Sequence, residues 1–253
     1  MSRAAHPAVA IAALTATELR LALRRGENLL ATIVIPAVVL VLFTSVAILP
    51  TGGARPVDVL LPGSIALGII ATSLVSLGIT TAYDRSYGVL KRLGGAPISR
   101  AELVVGRLLA VLVIEAVQVI LLIGVAGATL GWTAGSGWSP ALLAGAVLVG
   151  TVAFAGLGLL MAGTLRAEAV LALANVLFLA LLLGGGLIVP VEQLPAPLST
   201  IAAALPAAPL GELLRAALDP GAPSGGDLVG PAALLAGWAV VGSVLAALAV
   251  RWD

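Results

Sequence analysis

An all-α integral membrane protein with six transmembrane helices is the fold class the sequence predicts, and three observations carry it. Of all residues, 60% are hydrophobic and 10% charged, with a mean hydropathy of +1.17, against about 25% charged residues in a soluble domain. A helical span needs about 20 residues to cross a hydrocarbon core of about 30 Å, so 253 residues accommodate about six spans and no soluble domain. The basic residues are also unevenly placed. Arg3, Arg20, Arg24, Arg25, Arg85, Lys91, Arg92, Arg100, Arg107, Arg166 and Arg251 fall on one side of the predicted membrane, and only Arg55 and Arg215 on the other. By the positive-inside rule the first side is cytoplasmic and holds both termini.

In chain order, residues 1–28 form a tail and an interfacial helix whose start is signalled by a capping box of Thr15 and Glu18. Leu19 and Leu23 are one turn apart with Ala22 beside them, and Arg20 and Arg24 share the other side, so the segment can lie in the membrane interface. A solvated basic leader is the alternative. The apolar patch at 9–14 is short and soon followed by charges, so no cleaved signal peptide is read and the N-terminus is expected to be retained.

The first span is predicted over 29–49, with Pro36 inside it, a residue that membrane helices tolerate where neighbours satisfy the freed carbonyl. The second covers 59–82, with Pro62 in its first turn and Gly68, Thr72, Ser73, Ser76 and Gly78 allowing close helix contacts. A polar hairpin follows over 83–100. Its pattern predicts one short helix over 85–93, with Val89, Leu90 and Leu93 on one side and Arg85, Lys91 and Arg92 away from them. Gly94-Gly95 is expected to end it through left-handed angles, and Pro97 bars its continuation. Ser99 with Glu102 forms a capping box that opens the third span, over 101–130.

Trp132 and Trp138 are placed as interfacial anchors in the next loop. The fourth span, over 141–165, carries Gly145, Gly150, Gly156, Gly158 and Gly163 at spacings that suit helix packing. Arg166 and Glu168 make a tight turn into the fifth, over 169–189, which ends near Gly184-Gly185-Gly186. The segment 190–227 is interrupted by Pro190, Pro195, Pro197, Pro206, Pro209, Pro220 and Pro223, and two short helices fit it, over 198–205 and 210–218. Its Ile201, Leu205, Leu210, Leu213 and Leu214 argue against a solvated loop. The sixth span covers 228–250, anchored by Trp252.

The hairpin also carries a resemblance. Leu61-Pro62-Gly63 heading the second span, Asp84-Arg85, Gly88-Val89-Leu90-Lys91-Arg92-Leu93, Pro97-Ile98-Ser99 and Gly106-Arg107 resemble the first intracellular loop of the ABC-2 type permeases, in particular their daunorubicin-resistance branch. Many members have a further acidic residue inside this helix, where this chain has Ser86 and Tyr87. The resemblance implies that the whole chain is one ABC-2 transmembrane domain in a bacterial inner membrane. It implies that residues 1–28 include an elbow helix and that 190–227 makes two re-entrant half-helices in the outer leaflet. The hairpin becomes a coupling helix that docks into a separate ATPase subunit through Asp84, Arg85, Gly88, Val89, Leu90, Lys91, Arg92, Leu93 and Pro97. Two ATPase copies, carrying ATP and Mg, and a second permease copy or paralogue complete the expected exporter. An ordinary cytoplasmic loop is the plainer reading of the same residues.

Three strongly polar side chains lie deep within the spans. Glu115 lies about thirteen residues into the third span, roughly 20 Å from its cytoplasmic start at 1.5 Å per residue. An acidic group there costs on the order of 2.5–3.5 kcal/mol on insertion scales, so it is expected to face the bundle interior or a cavity and find a partner. Its use is structural, a substrate or gating contact, or proton coupling. Gln118 shares its face, and Asn175 in the fifth span is expected to bond between helices.

Several functions are excluded by what the chain lacks. There is no cysteine, hence no disulfide or thiolate metal site, and the one histidine, His6, lies in the N-terminal tail. No Gly-x4-Gly-Lys-Ser/Thr loop is present, since Lys91 is the only lysine and Arg92 follows it, so if ATP drives this protein another chain must bind it. An intramembrane protease or phosphatase lacks its histidine, paired carboxylates or metal cluster. A stand-alone secondary transporter or channel using Glu115 remains as the alternative, although the six spans show no inverted repeat. Only 4% of residues are aromatic, unlike the ring-lined channels of polysaccharide exporters, so a small hydrophobic or amphiphilic cargo, a drug-like molecule or a lipid, is expected. Nucleic acid is not.

Overall fold

The computed structural model describes residues 6–24, 26–46, 55–95, 97–135, 137–187, 191, 195–218 and 228–249, with backbone alone for 26–31. Among these nearly every regular element is an α-helix, with no strand. Five helices are long and apolar enough to cross a membrane, and six if the bent pair near residue 206 counts as one span. Arg3, Arg25, Pro190, Arg251 and Trp252, and the whole of 47–54 and 219–227, fall outside the described residues.

Helix α1 covers Pro7–Arg24 and starts well before Thr15, with the His6 carbonyl accepting the amides of Val9 and Ala10. This corrects the expected capping box. Thr15 lies mid-helix, its hydroxyl within reach of the carbonyls of Ile11 (2.9 Å) and Gly106 (3.2 Å). The apolar patch at 9–14 packs on the third span, and that contact outweighs the weak local preference of Thr15 for a helix start. Helix α2, Gly26–Val46, carries Pro36 internally and stands for the first span, its described apolar part being Thr32–Val46.

The second span is one rod, Pro56–Ser86, made of α3 (Pro56–Ile69), a π-helical stretch (Ile70–Ser76) and α4 (Leu77–Ser86). It is the centre of the core, with Leu60, Leu61, Ile65, Leu67, Ile69, Ile70 and Leu74 all buried. The π stretch sits where hydroxyls compete for helix carbonyls: Thr72 donates to Gly68 O at 2.8 Å and Ser73 to Ile69 O at 2.5 Å. Such widened turns accompany functional sites in many helices.

After the short α5 (Val89–Gly94), α6 runs over Arg100–Thr129, opened by the predicted capping box, in which Glu102 N donates to Ser99 Oγ and Ser99 N to the Glu102 carboxylate. Helix α7 (Pro140–Thr164) packs through glycine on two neighbours. A Cβ on Gly158 would lie 2.8 Å from Leu74 O, and one on Gly156 2.6 Å from the Gly242 carbonyl carbon. The fourth span and its partners therefore approach at backbone distance, as small residues permit. Trp132 is buried, edge-on to Trp138 with ring centres 5.8 Å apart, so it packs the bundle and does not anchor in the interface as expected.

Helix α8 covers Ala167–Gly184; α9 (Ala196–Ala204) and α10 (Ala207–Leu218) meet at 78° beside Pro206, close to the two short helices predicted there. Helix α10 seats its apolar side, Leu210, Leu213 and Leu214, between α3 and α7. Helix α11, Val229–Ala249, packs along α7.

Candidate functional site

Three groups of polar side chains stand out. The first lies where α1, α4 and α6 converge. Arg107, one of the few buried charges, is 5% exposed although it sits only two turns inside α6. Its guanidinium donates to Glu18 at 2.9 Å, to the Thr81 hydroxyl at 2.8 Å and to Asp84. Gly106 makes the approach possible, since a Cβ there would stand 2.7 Å from Leu14 Cβ in α1. One guanidinium thus ties three helices, with all three partners on its planar fork of donors. Beside it a cavity of about 100 Å³ is lined by Thr72, Ser76 and Thr80 as well as by Glu18, Asp84 and Arg107.

The second group is the hairpin, and here the structure corrects the expected single helix over 85–93. Helix α4 ends at Ser86, and Gly88 takes a left-handed angle (φ 70°) that breaks the chain before the six residues of α5. Gly95, where the left-handed turn was expected, has φ −83°. The reason is local: the left-handed turn falls between the end of α4 and the start of α5, and Gly88 lies there without a Cβ. Asp84, expected to face a partner, binds Arg107, and Arg85 donates to Leu165 O at the end of α7 at 2.5 Å. Leu90 is buried within the chain itself. Lys91, Arg92 and Pro97 are exposed, Val89, Gly88 and Leu93 half-buried, and exposed Tyr87 stacks on Tyr83 with ring centres 5.9 Å apart.

The third group lies at mid-span. Glu115 has no exposed surface; one carboxylate oxygen bonds the Thr151 hydroxyl of α7 and the other, Oε1, has no partner. Gln118 is also buried; its amide donates to Thr32 O of α2 at 2.9 Å and packs against Gly68, where a Cβ would be 2.2 Å from Nε2. Both residues therefore face the bundle interior, as expected, and join α6 to different neighbours. Asn175 does not bond between helices: it is exposed and its amide donates to Leu171 O of its own helix at 2.7 Å. It lines a cleft of about 320 Å³ between α2, the π stretch and α8, with Ile35, Pro36, Val75 and Phe178. Thr32, Ser76 and Thr80 line both this cleft and the cavity beside Arg107, so the two are neighbours.

Glu18 and Thr81 are the members of the Arg107 group that the sequence reading did not connect with it. The available signal is a lone arginine two turns inside an apolar span, which calls for an acidic partner. Among the described residues no cluster of His, Asp and Glu fits a metal ion. A family model described as ABC-2 type transporter matches residues 9–218. No curated protein matches the chain.

Proposed function

Since the chain belongs to the ABC-2 type transporter family, we propose that it is the permease subunit of an ATP-driven exporter, energised by a separate ATPase that docks on the hairpin around α5. The carrying observation is how that hairpin is wired. Asp84 and Arg85, just before the Gly88 turn, bond α6 and the end of α7, while Lys91 and Arg92 are exposed six to eight residues further on, in α5. A push on α5 is thereby passed to α1, α6 and α7 through charged hydrogen bonds rather than through a loose loop. Val89, Leu93, Lys91 and Arg92 form the docking surface, with both termini and the hairpin on the cytoplasmic side as the distribution of basic residues requires.

The cleft between α2 and α8 is apolar apart from Thr32, Ser76, Thr80 and Asn175, and it adjoins the polar cavity at Arg107. That pairing of an apolar cleft with a polar end suits a small hydrophobic or amphiphilic cargo. Two permease copies, or one copy and a paralogue, would form the full pathway with two ATPase subunits. Glu115 lines neither of these two spaces, which favours a contact between helices over the coupling site of a stand-alone transporter. Copurification with an ATPase encoded beside this chain, followed by ATP hydrolysis stimulated by amphiphilic cargo, tests the reading. A chain that recovers no ATPase and transports without ATP would overturn it.

A further inference from the structure

A groove separate from the spaces above runs along α7, with α6 and α11 as its walls. Its volume is about 340 Å³, its floor is Val152, Ala155, Gly156 and Leu159, and its walls include Val104, Leu108 and Ala247. The one charged residue on it is Arg100, at the very start of α6. From Arg100 the groove reaches Leu108, roughly 12 Å inward at 1.5 Å per residue. Helices α6 and α11 both flank α7 and make few contacts with each other, and Ala101, Ser243 and Ala247 on the walls are exposed. The groove is therefore open sideways, where the bilayer lies, and its small side chains leave room that α6 and α11 do not fill.

We propose that this groove holds an acyl chain of an anionic phospholipid of the cytoplasmic leaflet, with the lipid phosphate on Arg100. The charge and the apolar slot are arranged as such a lipid needs them. An arginine at the interface presents a fork of donors matched to phosphate oxygens, and the slot continues from it toward the membrane centre as an acyl chain does. The placement in the cytoplasmic leaflet rests on the orientation argued from charge, whereas the binding itself does not, so the two fail separately. One basic residue near a membrane surface contributes about a fivefold preference for an anionic lipid.

The test uses the full chain, purified in detergent and stripped of lipid, with thermal stability read against added lipid. Phosphatidylglycerol is expected to raise the melting temperature saturably and at lower concentration than phosphatidylcholine of the same chains, while inorganic phosphate alone has no effect. Arg100→Gln should weaken the phosphatidylglycerol response about fivefold and leave that of phosphatidylcholine unchanged. Ala247→Phe, on an exposed wall, fills the slot and should reduce both responses, which keeps the test decisive if the Arg100 variant does not fold. Equal responses to the two lipids in the parent, or an unaltered response in the Ala247 variant, would overturn the proposal. So would stabilisation by inorganic phosphate alone, or efficient disulfide formation between two copies of an Ala247→Cys variant in bilayers, which would give the groove to a second copy of the chain.

Discussion

Asp84 accepts a hydrogen bond from Arg107, joining the last turn of the second span to the second turn of the third across 23 positions of sequence. The same arginine holds Glu18 of α1, so α1, α4 and α6 meet on one side chain.

Arg107→Leu leaves two largely buried carboxylates without their cation. Removing one partner of a buried pair commonly costs about 3–5 kcal/mol, so the thermal midpoint of the purified protein should fall sharply. Replacing Glu18, Asp84 and Arg107 together by apolar residues should recover much of that loss. A single variant as stable as the parent would show that the node is solvated.

Gly88→Ala tests the turn before α5. No atom lies within 4 Å of the Cβ it would add, so the cost is in the backbone alone, about 1–2 kcal/mol for a left-handed angle. Gly88→Asn, which tolerates that angle better, should be milder. Insertion into the membrane should be unaffected in both, and ATP-driven efflux reduced in the order Ala before Asn.

Around the hairpin, Leu90 and its neighbours should separate by assay. Leu90 is buried within the chain, so Leu90→Ala should lower the stability of the isolated permease by about 2–3 kcal/mol. Lys91→Ala and Arg92→Ala, both exposed, should leave that stability unchanged and weaken ATPase recovery in pull-down, each by roughly 0–1 kcal/mol. Leu93→Ala should weaken recovery more than either.

At mid-span, Glu115→Gln keeps a hydrogen-bonding partner for Thr151 and should retain stability and transport. Glu115→Leu removes the bond between α6 and α7 but leaves the Thr151 hydroxyl on Val147 O, whereas Thr151→Val leaves the buried Glu115 carboxyl without a partner and should lower the melting temperature more. Loss of transport in the Gln variant with stability unchanged would assign Glu115 a charge-dependent role instead.

Because the chain has no cysteine, single-cysteine variants report topology without background. Thr133→Cys, in the exposed loop after α6, should react with an impermeant thiol reagent on intact cells. Ser86→Cys and Ser99→Cys, at the basic end, should react only after permeabilisation. The opposite pattern would invert the orientation.

The sequence by itself determined the helical membrane class, the extents of the long spans to within a few residues, the capping box at Ser99 and the bent pair around Pro206. These follow from local rules. A bilayer demands an unbroken apolar run of fixed length with its backbone bonded internally, and caps and prolines act within one turn. The family motif was legible for the same reason, as a run of adjacent residues. Which way Asp84, Arg85, Leu90 and Asn175 turn was not. Asp84, Arg85 and Leu90 read as an outward docking face, and Asn175 as a bond between helices, because on an isolated helix a polar residue points equally well to a partner, to water or to its own backbone. Only the packed bundle decided among these, by bringing Glu18 and Arg107 together across 89 positions and Arg85 to Leu165 across 80. Such pairings depend on the rotation of each helix about its axis, which is set by the sum of its contacts, above all the glycine approaches along α7, and not by its own sequence alone.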